Sequence, residues 1–239
     1  MAKLGGTKHV KRIAAPKAVP VTDRKARTWI INTAPGPHPR KHAIPLAVLL
    51  RDIIGIVKDA REAGRALSRR AVLVDGKPRT DAKFPVGLMD VVSFAGKNYR
   101  MVVDWKGRLV PLEITAAHAN SKILRVVGKR TVQGGKIFLS FHDGRNLAGD
   151  NNVKVGDSVI VSLPKAAMVK HLKSGNGARC LVSEGKHAGN IVRLKEIIQR
   201  KGSKPSEALV ESDGGEFITV AKYLVVVDDA FQLKGGKST

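Results

Sequence analysis

The stretch DAREAGRALSRRAVLVDGKPRTDAKFPVGLMDVVSF, Asp59 to Phe94, decides how the chain is read. Asp59 stands three residues before Glu62, the spacing of a capping box, so a helix is expected to start there. Its inner positions are Ala60, Ala63 and Leu67, while Arg61, Arg65 and Arg69 recur every four residues and share the outer face, with Ser68 and Arg70 beside them. Beyond the helix, Val72-Leu73-Val74 and Lys77 to Thr80 flank Asp75-Gly76, a strong hairpin-turn signal, and Asp90 to Phe94 supplies a further strand. Upstream, Pro45 takes the permissive first position of an earlier helix whose Leu46, Leu49, Leu50, Ile53, Ile54 and Val57 fall at three-and-four spacing. The alanines and Gly64 let the two helices approach closely. A helical hairpin with a guanidinium stripe, followed by a small sheet, is the expected result.

Downstream of Phe94 strands alternate with glycine turns: Tyr99 to Asp104, Arg108 to Ile114, Ile123 to Gly128, Ile137 to Phe141 and Ser158 to Leu163, interrupted by one helical turn near Ala116 to Ser121. Such spacing suggests small curved sheets or barrels, not a parallel sheet with crossover helices. After the Gly175-Asn176-Gly177 break come Arg179 to Val182, Ile191 to Lys195, Ala208 to Glu211, Glu216 to Val220 and Tyr223 to Val227, five short strands that fit one SH3-like barrel. The expected fold is therefore α+β and multi-domain: a basic extended N-terminal arm (1–42), the helical hairpin with its sheet (43–105), a central β-rich domain (106–173), a C-terminal SH3-like barrel (174–230) and a frayed tail (231–239).

The arm holds Pro16, Pro20 and the run Pro35-Gly36-Pro37-His38-Pro39, which forbid a continuous helix, and is kept solvated by Lys8, His9, Lys11, Arg12, Lys17, Arg24, Lys25 and Arg27, with Arg40 and Lys41 following. It is expected to be disordered alone, as a soluble tail or as an RNA-threading arm ordered on binding. Over the whole chain 43 Lys and Arg face 20 Asp and Glu, a formal charge of +23. The excess belongs mainly to the first two thirds: ten basic against one acidic residue in 1–42, 19 against 9 in 43–149, but 14 against 10 in 150–239. A chain so basic calls for a polyanion.

Other function classes fall away. The single cysteine, Cys180, leaves no disulfide framework or Cys-rich zinc site and suits a reducing compartment. Ile44 to Leu50, the most apolar early run, is far too short to span a membrane. The terminal Gly236-Lys237-Ser238 lacks the leading glycine of a phosphate loop, Phe231 standing in its place, and there is no HExxH or GxSxG. His142-Asp143 is better explained by a turn at Asp143-Gly144 than by catalysis. Neither cofactor, metal nor small-molecule substrate is called for, and no homo-oligomer is expected. With ten aromatics in 239 residues, stacking platforms are few, which favours backbone and shape readout of structured RNA.

The Asp59 to Phe94 run, with Ser68-Arg69-Arg70, Asp75-Gly76-Lys77, Thr80-Asp81 and Asp90-Val91-Val92, resembles the S4-type RNA-binding module. The resemblance implies that its second helix and hairpin grip structured RNA through Arg61, Arg65, Ser68, Arg69, Arg70, Lys77 and Arg79. Arg179 to Gly189 resembles a KOW motif, although Val192 stands where the third glycine usually lies. There Gly185 and Gly189 permit a tight loop that sets Lys186 against a phosphate. The order of a basic arm, Gly36-Pro37-His38, the S4-like module, a central His142-Asp143-Gly144-Arg145-Asn146 and the KOW-like segment is similar to the S4e family of small-subunit ribosomal proteins. That likeness implies a non-catalytic constituent of the cytoplasmic ribosome, with small-subunit rRNA and neighbouring ribosomal proteins as partners and Arg145 among the RNA contacts. The compact C-terminus suits an archaeal member better than a eukaryotic one. An RNA-modifying enzyme with an S4-type targeting module would need a further catalytic domain, for which 106–239 leaves no room, and the arm and S4-like module speak against a KOW-type transcription factor.

Overall fold

The computed structural model describes residues 9–200, 202–212, 214–228 and 231. Within the arm, β1 (Val10–Lys11) and β2 (Trp29–Ile30) pair antiparallel, Val10 opposite Ile30. Val10, Ala18, Val19 and Ile30 are buried in one core with Leu46 to Leu50, and Leu109 donates its backbone N–H to the Ala18 carbonyl at 2.8 Å. This corrects the expectation of an extended, coreless arm. Prolines forbid a helix but not packing, and a few well-spaced apolar side chains cover the flank of the first helix.

That helix is shorter than its periodicity suggested. Preceded by β3 (Ile44–Pro45), α1 (Leu46–Val48) passes into a π-helical turn over Leu49–Ile53 and stops before Gly55, short of Val57. Leu46 to Leu50 are all buried because the arm covers one side and the rest of the module the other. In α2 (Ala60–Ser68), Ala63 and Leu67 are fully buried and Arg61 and Arg65 exposed, but Ala60 faces solvent. The expected capping box does not form: Asp59 makes no side-chain cap bond, and the Glu62 carboxylate accepts the backbone N–H of Lys58, one residue before the cap, at 2.8 Å. Leu67→Ala should cost roughly 2 to 5 kcal/mol in a denaturant melt, since its cavity lies where arm, helices and sheet meet.

The first sheet follows. β4 (Leu73–Val74) and β5 (Lys77–Pro78) enclose Asp75 and Gly76, whose φ of 52° and 72° make the paired left-handed residues of a type I′ hairpin. β6 (Pro85–Val86) pairs with β3, and β7 (Val91–Phe94), β8 (Lys97–Val103) and β9 (Leu109–Ile114) complete the order β5-β4-β7-β8-β9. One helical turn, α3 (Ala116–Ala119), leads to β10 (Ser121–Thr131).

The mid-chain sheet adds β11 (Ile137–Phe141), β12 (Asn146–Ala148), β13 (Ser158–Ser162) and β14 (Ala167–Leu172) in the order β12-β11-β10-β13-β14. The first half of β10 pairs with β13 and the second with β11, and a bulge between Val126 and Gly128 curls the sheet into a half-barrel.

The C-terminal sheet holds β15 (Arg179–Val182), β16 (Ile191–Ile198), β17 (Glu207–Ser212), β18 (Gly215–Val220) and β19 (Leu224–Val226). Its five strands stand near the expected places, but their order β18-β17-β16-β15-β19 leaves β18 and β19 at opposite edges. The expected SH3-like barrel is therefore corrected to an open sheet. Closure is unnecessary because both faces of β15 and β19 are already covered. Cys180, Val182, Leu224 and Val226 enter the sheet's own core, while Leu181 and Val225 join Met89, Val102, Ile123 and Ile160 in a cluster shared by all three sheets.

Candidate nucleic-acid interface

The α2 face is built for exposure. Ala63 and Leu67 anchor the helix inward, which leaves Arg61 and Arg65 in solvent; Ser68 closes the helix, and Arg69 and Arg70 continue the surface past its end. Arg70 has φ 56°, the left-handed conformation that usually follows a helix and usually belongs to glycine. Among the described residues no ion pair or hydrogen bond occupies the side chains of Arg61, Arg65, Arg69 or Arg70. Lys77 lies exposed on the hairpin, whereas Arg79 is half-buried with its guanidinium 4.5 Å from the Phe84 ring centre.

The other basic positions separate. Lys11, Lys17, Arg40 and Lys41 are exposed, as is His9, whose ring meets Trp29 edge-on at 5.7 Å; Lys8 lies outside the described residues. Arg12 is buried, its Nε donating to the Asp23 carbonyl at 2.6 Å and its Nη1 to Asp52 at 3.1 Å, so its charge ties the arm to the first helix. Lys186 is exposed in the loop between Gly185 and Gly189. At Gly189, with φ 81°, an added Cβ would stand 2.7 Å from the Asp104 carbonyl carbon, so glycine allows this loop to meet the β8–β9 hairpin tip.

Arg145 is drawn inward. With Lys122 it joins a buried network that the sequence reading missed. The Lys122 Nζ donates to Asp75 at 2.8 Å, Asp90 at 2.5 Å and Asp143 at 3.2 Å, and Arg145 pairs with Asp75 and Asp143. His38 of the arm donates Nε2–H to Asp90 at 3.1 Å. Asp75 also accepts the Val91 N–H, and Asp90 the Gly87 N–H. Arm, first sheet and mid-chain sheet are thus tied at one buried point. Burial opposes the Lys122 ammonium, but Asp90, Asp75 and Asp143 outweigh it and raise its pKa. Burial would raise Asp90 too, yet His38 and Lys122 hold it well below the usual carboxylate range. Asp75 moves up, through burial and the nearby Asp90 charge. Lys122 stands directly before Ile123 and Leu124 in a strand that also carries Arg125, Lys129 and Arg130, so nothing in the sequence set it apart.

Beside the network, His142 is locked as a neutral ring. Its Nδ1 accepts the Arg125 backbone N–H at 3.1 Å while Nε2–H donates to the Leu88 carbonyl at 3.3 Å. Burial, then Lys122 and His38, bring its pKa down to about 4. Unfolded His142 takes up a proton near pH 6.5 and the folded form only near 4, so its contribution is full above about pH 6.5 and is lost as pH falls through 4. The loss is at most about 3 kcal/mol, partly offset by Asp75, which takes up a proton more readily when folded. His142→Gln should flatten the fall in melting stability between pH 6.5 and 4.5; an unchanged slope would assign the titration elsewhere.

Family comparisons match three successive stretches of the chain. Residues 4–41 match the RS4NT (NUC023) domain, 44–92 the S4 domain, and 95–168 the Ribosomal family S4e. The chain is 39% identical over 229 residues to the small ribosomal subunit protein eS4 of Methanosphaera stadtmanae, covering 95% of each chain. It is 44% identical over 200 residues to that of Korarchaeum cryptofilum, covering 82% of this chain and 85% of the relative. The crystal structure of the 30S ribosomal protein S4e from Thermoplasma acidophilum superposes with a TM-score of 0.70 at 31% identity, over 81% of this chain and 99% of that one.

Proposed function

The chain belongs to the S4e family of ribosomal proteins, structural RNA-binding components of the small subunit and not enzymes, and on that premise we propose that it holds folded small-subunit rRNA through three separate basic elements. The first is the α2 face, Arg61, Arg65, Ser68, Arg69 and Arg70, with Lys77 on the hairpin. The arm is the second, where Lys11, Lys17, Arg40 and Lys41 follow the backbone while Arg12 stays inside. The third is the KOW-like loop, whose exposed Lys186 between two glycines suits a phosphate. Arm, S4-like module, mid-chain sheet and C-terminal sheet act as successive units of one rRNA clamp, beside neighbouring ribosomal proteins in the cytoplasm. No described helix is long and apolar enough to cross a membrane.

The arginines of α2 and its C-cap carry the reading: three exposed guanidinium groups on one face, anchored from behind, with no carboxylate among the described residues neutralising them. A guanidinium forks onto phosphate, and its loss opens no core cavity. Each change of Arg61, Arg65 or Arg69 to Ala should weaken rRNA binding by roughly 1 to 3 kcal/mol and move folding stability by less than about 0.5 kcal/mol. Filter binding paired with denaturant melts tests this, with Leu67→Ala as the converse variant. Arginine variants that bind like wild type at low salt would reduce the stripe to a solvated surface.

A further inference from the structure

Away from the α2 face lies a cavity of about 570 Å³, within the size range of small-molecule sites. Four parts of the chain build it. Lys17 and Lys41 come from the arm, Leu88 and Val103 from the first sheet, Arg125, Phe141 and His142 from the mid-chain sheet, and Glu184 and Lys222 from the C-terminal sheet. Its walls are mainly apolar, and its charged groups are not balanced: Lys17, Lys41, Lys222 and Arg125 face Glu184 alone, which lies 3.6 Å from His42. The Arg125 Nε is buried without an acceptor, a donor left unsatisfied. At the edge, the hairpin that supplies Gly107 to the wall carries Trp105, which is 67% exposed and has the Lys106 ammonium 4.5 Å from its ring centre.

We propose that this cavity receives one unpaired nucleotide of the bound RNA, with phosphate against the lysines and the base between the apolar walls. The proposal rests on the rRNA-binding reading above and adds a site to it. A base presents a flat apolar face and a polar edge. The face suits Leu88, Val103 and Phe141, and the edge finds a donor in Arg125 and an acceptor in Glu184. The same chemistry is offered by a free nucleotide, but the lysines lie on the exposed rim, where the neighbouring phosphates of a polymer would run, and Trp105 offers a stacking face to a flanking base. An extruded nucleotide would also touch all four units at once.

Chemical probing of base accessibility on a small-subunit rRNA fragment, with the full chain bound, tests it. With wild type, one unpaired nucleotide should become protected within the footprint. Lys222→Ala, the loss of an exposed lysine that should leave the fold intact, and separately Arg125→Met, should each restore reactivity at that nucleotide by about tenfold while the rest of the footprint persists. Should Arg125→Met fail to fold, Lys222→Ala decides. A footprint with no protected unpaired nucleotide, or the same protection in the variants, overturns the cavity proposal and leaves the rRNA-binding reading standing. No wild-type footprint at all would remove that reading instead, and the cavity proposal with it. In a parallel titration with guanosine 5′-monophosphate alone, weak or undetectable binding is expected; tight binding together with an rRNA footprint that ignores the variants would make this a free-nucleotide site and overturn the RNA assignment.

Discussion

Between about 50 and 200 mM salt, affinity for a small-subunit rRNA fragment should fall by roughly 10³- to 10⁵-fold, the response of a surface that neutralises about 6 to 10 phosphates, taking the duplex scaling as the guide for folded RNA. The exposed cations on α2, the hairpin, the arm and the Gly185–Gly189 loop supply that many contacts without the inward-turned Arg12 and Arg145. Each phosphate contact releases condensed counterion, so the slope of log affinity against log salt counts the contacts. Removing Arg61, Arg65 and Arg69 together should flatten the slope as well as weaken binding. A nearly flat response in wild type would mean that apolar or base-edge contacts dominate, which a chain with ten aromatics is poorly equipped to provide.

Lys122→Met should destabilise the protein by roughly 3 to 5 kcal/mol near pH 7, the cost of removing one partner from a buried ionic cluster. The ammonium is fully buried and holds Asp75, Asp90 and Asp143. Without it three buried carboxylates share the site with only Arg145 and His38. That loss is a large part of the stability of an ordinary domain, about 5 to 15 kcal/mol. The pH dependence identifies the mechanism. Unpaired buried carboxylates have raised pKa values, so the variant's folded state takes up protons before its unfolded state does and is stabilised as pH falls. The gap to wild type should narrow between pH 7 and 4.5 in paired denaturant melts. A deficit that stays constant with pH would point to lost packing, and one below about 1 kcal/mol would show that the network does not join arm and sheets.

What was legible was what is local. The arginine spacing around Ala63 and Leu67 and the Asp75-Gly76 turn are set within one helix or one hairpin, and both appear where periodicity and turn chemistry placed them. The arm's core was hidden because Val10, Ala18, Val19 and Ile30 have no period of their own and gain meaning only against Leu46 to Leu50. Five correctly spaced C-terminal strands did not decide between barrel and open sheet. That depended on Leu181 and Val225 facing residues of the other two sheets. Lys122 meets Asp75 across 47 residues and Asp90 across 32, distances at which composition says nothing about pairing. The burial of Arg12 and the pairing of Arg145 were hidden for the same reason, since a basic residue in sequence does not reveal the carboxylate that will claim it.

Rebinding to small subunits stripped of their peripheral proteins by a high-salt wash is the decisive assay, with the wild-type chain and the variant carrying Arg61→Ala, Arg65→Ala and Arg69→Ala added in equal amounts and occupancy read after sedimentation. Wild type should reach one copy per particle at moderate salt, and the triple variant, folded to wild-type stability, should remain mostly in the supernatant. Equal occupancy of the two proteins would take the α2 face out of the interface, and failure of wild type to rebind at any salt concentration would remove the rRNA-binding role itself.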